Sequence, residues 1–409
     1  MNRPKLLLLT GTAPGRVHVG RMMMRDLCLM YPPNDLVCFY TDRLGLPESE
    51  TDPELAPYMM TWHPCPPENG FHTLGAAVNL WTRPLIEWYI ERTAVPRLVN
   101  RIVRLGREQG CTKVLALLDS PTMMRIAKPV ANELGAELLL MVHDPPSYVC
   151  TVHHKLSGAP LQRLKTLAGE AISCASRCGV ISAAMGERFE ECYGAKCVVM
   201  VSASRRAVEV GERRCGLNNP IQIGFAGSLY AEDSWRCLVE ALESHRWVIR
   251  GHGVVLNVLG ANLPPHVAQS HREVNVLGWH DYEETVRLLS AMDVAFLPYS
   301  FSSQFREFTQ LSFPNKLSTY LAAHLPVLYN GPVPSAAAGF ISRFGVGCVC
   351  AEPDPGAVFD ALEELLFSDG QYDRMRSACA RAYERELSPG VLRSNVAALL
   401  GVAEELLIG

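Results

Sequence analysis

The sequence predicts an α/β protein built from two Rossmann-like, doubly wound domains. Three observations carry this. Short apolar runs alternate with amphipathic helical stretches, the runs close on glycine, proline or a polar turn, and the whole rhythm starts again near Ile221. At 409 residues the chain has room for two or three domains, taking roughly 150 residues for each.

Lys5–Thr10 reads as a central strand, followed by the turn Gly11-Thr-Ala-Pro-Gly15 and, from Val19-Gly20-Arg21, a helix reaching Met30. The turn is not G-x-G-x-x-G, so nothing here points to a dinucleotide. Its glycines serve equally as turn residues. Leu36–Thr41 is a second strand. Asp42–Gly70 is rich in Pro, Glu and His with no period, which predicts a long surface loop. Arg83–Glu108 is helical in pattern and interrupted at Pro96, with Leu98, Ile102 and Leu105 along one side and Arg97, Arg101 and Arg104 along another. That basic stripe fits a solvated face, and it also fits anionic lipid headgroups, which attract basic side chains by about 1 kcal/mol each.

Lys113–Ser120, a helix over Pro121–Leu134, and Ala136–Val142 ending in His143-Asp144-Pro145-Pro146 repeat strand, helix, strand. Asp119, His143 and Asp144 thus fall at strand carboxyl ends, where open α/β sheets bind ligands. A His-Asp ahead of two prolines also suits a turn-stabilising pair. Helices near Leu161–Ala175 and Ala183–Cys192, with strands at Gly179–Ile181 and Cys197–Val201, complete a first domain over 1–203. Residues 204–220, with Arg205-Arg206, Arg213-Arg214, Gly211, Gly216 and Pro220, read as a linker.

The second domain, 221–409, opens with Ile221–Phe225 running into Ala226-Gly227-Ser228 and a helix from about Asp233. Val254–Leu259 ends at Gly260-Ala261-Asn262, and Val274–Leu277 at Gly278-Trp279-His280. Asp293-Val-Ala-Phe-Leu-Pro298 is a parallel strand opening into a loop over Tyr299–Pro314. Asn315 is a good N-cap for a helix bearing Leu317, Tyr320 and Leu321, and Leu325-Pro-Val-Leu328 is a buried strand. The amino end of that helix would gather free backbone N–H groups, the positive end of the helix dipole, the Lys316 ammonium and the hydroxyls of Ser312, Ser318 and Thr319, a set suited to a phosphate or diphosphate. A strand at Gly347–Cys350 and helices at Pro355–Leu366, Tyr372–Glu386 and Pro389–Leu407 finish the chain.

Lys plus Arg (38) against Asp plus Glu (42) gives a formal charge of −4, which offers no basic field for nucleic acid. No apolar run approaches the roughly 20 residues that span a bilayer, and Leu6–Leu9 is too short for a signal peptide. The sequence therefore predicts an intracellular, cytoplasmic protein. Fourteen cysteines without a C-x-x-C pair read as reduced thiols. Cys150-x-x-His153-His154 lacks a second pair at zinc spacing, so no metal is expected.

The run D-V-A-F-L-P-Y, loop, F-P-N-K-L-S-T-Y-L-A-A, then L-P-V-L, together with two Rossmann-like halves, resembles the GT-B glycosyltransferases near the large retaining group-1 family. The resemblance spans nearly the whole chain. It implies two domains facing a cleft, with the last helix crossing back to the first domain. It also implies a nucleotide-sugar donor without a further cofactor, and a glycan or lipid-linked acceptor in surface polysaccharide or glycolipid assembly. By it, Gly15 and Gly20 lie near donor sugar and phosphates, Gly227 and Ser228 by the diphosphate, Gly278 and Trp279 by the base, and Ser312, Lys316 and Thr319 on the phosphates. His143, with Asp144, would stand near the reacting hydroxyl. The pattern departs from the family at two points. The usual Glu-x7-Glu reads Leu311 and Thr319, and the Arg and Lys after the first strand of the second domain are replaced by Tyr230, Ala231 and Glu232. These departures keep open a non-catalytic scaffold or nucleotide-sugar sensor. A nucleotide-sugar epimerase would need carboxylates converging on the sugar.

Overall fold

The structure, a computed structural model, describes residues 3–16, 19–42, 52–68, 76–201, 207–210, 216–260, 271–368 and 370–408. Arg205-Arg206, Gly211, Arg213-Arg214 and Ala261-Asn262 lie outside them. The chain divides into two compact units, residues 1–200 with 393–409, and residues 201–392.

The first unit is built on a parallel sheet of β1 (Leu6–Thr10), β2 (Leu36–Asp42), β3 (Met59–Pro64), β4 (Lys113–Leu117), β5 (Glu137–Val142), β6 (Arg177–Val180) and β7 (Cys197–Val199), in the order β3-β2-β1-β4-β5-β6-β7. Strand order reverses between β1 and β4. There the loops after both strands part at the carboxyl edge, the place where such sheets take ligands. Leu6, Leu7, Leu8 and Leu9 are all at most 1% exposed, because a parallel strand is covered on both faces and so reads as a continuous apolar run. Each such burial contributes about 1.5–3 kcal/mol relative to exposure. Residues 393–409 pack within this unit, and Lys113 Nζ donates to Leu400 O at 2.7 Å.

The second unit carries β8 (Ile221–Ala226), β9 (Val248–Ile249), β10 (His252–Leu259), β11 (Val274–Gly278), β12 (Val294–Pro298), β13 (Val327–Asn330) and β14 (Gly347–Cys350). Its parallel path runs β11-β10-β8-β12-β13-β14, with β9 antiparallel on β10. The switch point here lies between β8 and β12. Asp293, fully buried just before β12, accepts from Asn218 N (3.0 Å), Asn218 Nδ2 (3.1 Å) and Gln222 N (2.7 Å) and so fixes the entry into β8.

Several sequence expectations need correction. The expected loop over 42–70 contains the edge strand β3, whose burial alternates weakly because one of its sides is unpaired. The helical stretch from Arg83 begins at Ala76, and its interruption is a π turn at Ile90–Ala94. That turn runs directly into the helix Val95–Gln109, whose second residue is Pro96, so the irregularity falls just ahead of the proline, whose missing N–H breaks the regular ladder. The loop after β12 holds a short helix, Arg306–Leu311. The final helix stops at Leu400, where Gly401 adopts φ 63°.

Candidate functional site

The helix Asn315–Ala322 stands over the switch point of the second sheet, and Tyr320 holds it there. The Tyr320 hydroxyl accepts from Ala226 N at 3.0 Å, at the end of β8, and donates to Phe296 O at 3.1 Å on β12. The cap differs from expectation. Pro314 occupies the N-cap position, Asn315 is the first helical residue, and no side chain caps the end. The side-chain oxygens of Asn315 and Ser318 are buried there without a hydrogen-bond partner.

Lys316 lies between two rings, 5.5 Å from the centroid of Phe225 and 5.1 Å from that of Tyr230. Tyr230 is itself packed against Tyr299, Phe305 and Phe308, at 6.0, 6.2 and 5.7 Å between centroids. No carboxylate among the described residues pairs with Lys316. Burial without a counter-ion lowers its pKa to about 8. A cation held mainly by ring faces, worth roughly 0.5–2 kcal/mol for each ring, next to the unpaired Ser318 hydroxyl is an arrangement that an anion would complete.

Gly227, at φ 91°, allows this proximity, since a Cβ there would come within 3.3 Å of Lys316 Cε. Its turn is pressed by a second one: a Cβ on Gly260 would lie 2.8 Å from Gly227 O. Gly227 N already donates to Leu259 O at 2.6 Å, so Gly227 offers room rather than a donor. Ser228 is exposed beside it. Ser312 is buried at the turn before the helix. The Thr319 hydroxyl bonds back to Asn315 O at 3.1 Å, so it serves its own helix. Gly278, at φ 81°, ends β11, and Trp279 after it is 57% exposed. Glu307 is exposed on the short helix Arg306–Leu311.

In the first unit, Asp119 closes the loop after β1. Its carboxylate accepts from Gly11 N at 2.9 Å and from Thr10 Oγ1 at 3.3 Å. Burial, with the charge of Glu68 adding, raises its pKa to about 7 against the pull of the Gly11 amide. His143 and Asp144 follow β5. Burial lowers the His143 pKa to about 4, so the ring is neutral near pH 7, and its Nε2 has no partner. Gly15 N donates to Arg21 O at 3.1 Å, closing its own turn, and a Cβ on Gly20 would meet nothing within 4 Å. Cys150, His153 and His154 do not converge. Cys150 Sγ faces Met124 Sδ, His153 meets the Tyr148 ring edge-on, and His154 pairs with Glu68 at 3.7 Å. No group of three metal-ligating side chains occurs among the described residues.

Sequence reasoning missed Phe225 and Tyr230 as the seat of Lys316, and it missed Glu68. The first signal was present as the replacement of the expected Arg and Lys by Tyr230-Ala231-Glu232. Glu68 carried no signal, since nothing in a polar stretch marks which acid the fold will bury.

Residues 220–368 match the family model described as glycosyl transferases group 1. No curated protein is a significant match to the sequence. Among solved structures, the chain is similar to Anabaena Alr3699/HepE in complex with UDP, at 14% identity over 97% of this chain and 99% of that one, with a TM-score of 0.67. It is similar to WaaG, a glycosyltransferase involved in lipopolysaccharide biosynthesis, at 11% identity over 97% and 100%, with a TM-score of 0.58. A putative UDP-N-acetylglucosamine 2-epimerase from Listeria monocytogenes aligns at 12% identity over 99% and 98%, with a TM-score of 0.56. At these identities the likeness shows the fold, and that fold is GT-B, as the motif resemblance implied.

Proposed function

We propose that this chain, whose fold is GT-B and whose residues 220–368 match the group 1 glycosyltransferase family model, transfers a glycosyl unit from a nucleoside diphosphate sugar to an acceptor hydroxyl in the assembly of a cell-surface polysaccharide or glycolipid. The fold is shared with an epimerase, so it does not by itself select transfer. The group 1 match over 220–368 favours transfer. The observation that carries the donor half is Lys316, seated on Phe225 and Tyr230 over the Gly227 turn with no carboxylate partner among the described residues.

In this reading the diphosphate lies at the amino end of the helix Asn315–Ala322. Free backbone N–H groups, the Ser318 hydroxyl and the Lys316 ammonium meet the charge that develops as the glycosyl bond breaks. Lys316 carries more of that work than its family counterparts because Tyr230 stands where a cation is usual. Trp279 offers an exposed ring for the nucleobase, a stack worth about 1–3 kcal/mol. His143, neutral and with Nε2 unpartnered, accepts a hydrogen bond or a proton near the reacting hydroxyl, with Asp144 beside it. Charge on the donor is met by these groups, so no metal bridge is required. A thermal-shift panel of UDP, GDP, ADP, CDP and TDP tests the donor half. At about 100 times the dissociation constant the right one stabilises the protein by roughly 2.7 kcal/mol, and no response to any of them would sink the reading.

The acceptor half has a surface of its own. Leu85 (71% exposed), Trp88 (63%) and Tyr89 (44%) stand out on the helix Ala76–Tyr89. Arg97, Arg101 and Arg104 are exposed on the helix that follows. Aromatic and basic side chains on consecutive helices suit the headgroup level of an anionic membrane. No helix among the described residues is long and apolar enough to cross one. Co-sedimentation with vesicles containing phosphatidylglycerol but not with phosphatidylcholine alone, reduced in Arg97→Glu/Arg101→Glu, is the expected result. Equal binding to both vesicles would remove the charge argument.

A further inference from the structure

Two pairs of cysteines stand thiol to thiol in the first unit. Cys28, on the helix Val19–Leu29, hydrogen-bonds with Cys38 of β2, and Cys178 of β6 with Cys197 of β7. Their surroundings differ. Cys28 and Cys38 are both 0% exposed, so a reagent in solution meets neither. Cys178 is equally buried, but Cys197 is half-buried on the strand that ends the sheet. One thiol of this pair is therefore reachable, and the other is held behind it.

The register sets the spacing. Cys178 and Cys197 are direct Cα partners on parallel strands, and neighbouring strands run about 4.7–4.9 Å apart, inside the ~4.4–6.8 Å over which a disulfide joins two Cα atoms. The face they share lies under the helix Ala183–Tyr193. A Cβ at Gly186 would touch both Cys197 Cβ and Val180 Cγ2 at 3.5 Å, and Val180 leaves the sheet on the same side as Cys178, two residues before it. The pair is also polarised. The hydrogen bond from Cys178 lowers the Cys197 pKa against the opposing effects of burial and Glu190, and the same bond, with burial, raises that of Cys178. Thiolate character gathers on the reachable sulfur, the one an oxidant attacks.

We propose that Cys178 and Cys197 are a peroxide-reactive thiol pair, with Cys197 the attacked sulfur and Cys178 the one that resolves it into a disulfide between β6 and β7. The Cys197 sulfur takes one oxygen of hydrogen peroxide as the O–O bond breaks and becomes a sulfenic acid; the other oxygen leaves as hydroxide and, with the Cys197 proton, becomes water. The Cys178 sulfur then forms the S–S bond, and the sulfenic OH departs with the Cys178 proton as a second water. One peroxide is reduced and two thiols are oxidised. The bond closes a loop around the helix Ala183–Tyr193 and fastens the outermost strand just ahead of Val201, where the second unit begins. Nothing in this depends on glycosyl transfer.

The test treats the full chain, reduced and then freed of reductant, with stoichiometric hydrogen peroxide, alkylates the remaining thiols under denaturing conditions and maps the cysteines by mass spectrometry. A Cys178–Cys197 cross-link, lighter by two hydrogens and reopened by dithiothreitol, should form first, with Cys28 and Cys38 still alkylated. In Cys178→Ser the reaction should stop at a sulfenic acid on Cys197, trapped by dimedone. In Cys197→Ser the buried Cys178 should oxidise at least about tenfold more slowly than the pair does in wild type. Thermal melts establish that the variants fold, and Cys178→Ala replaces the serine variant if a buried hydroxyl is not tolerated. Oxidation of the exposed Cys174 or Cys192 ahead of Cys197 would overturn the proposal. So would a cross-link from Cys197 to either of them, or a Cys197 that runs on to sulfinic acid in wild type without a bond to Cys178.

Discussion

Lys316 Nζ sits 5.1 Å from the centre of the Tyr230 ring, at a place in the sequence where the resembling family carries a cation. One positive side chain, cushioned by a ring, thus stands where two or three would repel one another in the absence of ligand. Lys316→Ala should lose a charge-assisted hydrogen bond of about 1.5–3 kcal/mol, or ten- to two-hundred-fold in nucleotide affinity. Tyr230→Leu should weaken binding far less, because it removes support and not charge. Calorimetry with the responding nucleotide separates the two, and unchanged affinity in Lys316→Ala would return that lysine to an ordinary surface role.

The lowered Lys316 pKa of about 8 gives nucleotide binding a pH dependence of definite sign. An anion favours the charged ammonium, so binding takes up protons, and affinity falls as the pH rises through about 8 towards 10. Calorimetry at pH 8.5 in buffers of different ionisation enthalpy should report that uptake in wild type and not in Lys316→Ala. Without ligand, the folded chain binds fewer protons at this site than the unfolded chain between about 8 and 10.5. Stability from this group therefore rises over that window.

Asp119 works in the opposite direction. Its folded pKa of about 7 stands above the ordinary 3.8. The contribution is fully present below about 4 and is lost as the pH rises through about 7, by at most about 4 kcal/mol. Asp119→Asn keeps an oxygen for the Gly11 amide and cannot ionise. Urea titrations at pH 5 and 8 should show the variant gaining on wild type at the higher pH; a constant difference would mean that Asp119 titrates as an ordinary exposed acid.

His143→Ala leaves no protein group unpaired at Nε2, since none bonds there. The variant should bind the nucleotide almost normally, while turnover falls by about 10²–10⁴ if the imidazole moves a proton in transfer. Full activity in a folded variant would leave His143 as a packing residue after β5.

Transfer should also survive chelation, because the sequence has no Asp-x-Asp and no three-ligand group occurs among the described residues. Loss of activity in EDTA with recovery on adding magnesium or manganese would contradict this.

What could be read from the chain follows from how each part is buried. Leu6–Leu9 and Val114–Leu118 are covered on both faces and announce themselves as apolar runs. β3 does not. Met59 and Trp62 are 42% and 40% exposed, so an edge strand reads as loop. The grouping at Lys316 was legible because a cation, hydroxyls and a helix start are local in sequence. Its aromatic seat was not, since Phe225 on β8 and Tyr230 in the loop after it meet Lys316 only once the sheet is assembled. Asn315 was misread as a cap because a good capping residue next to proline gives no sign of which of the two adopts the extended backbone.

Asp293 has a further consequence, for how the second unit can be cut free. A fragment beginning at Ile221, where the strand begins, would take away both donors of Asn218 and leave a fully buried carboxylate short of them. Losing a hydrogen bond to a buried charged group costs about 1.5–3 kcal/mol, a sizeable part of what holds a small domain together. The stretch just ahead of β8 is therefore an internal ligand of the unit it precedes, and an independently folding fragment has to start at Asn218 or earlier.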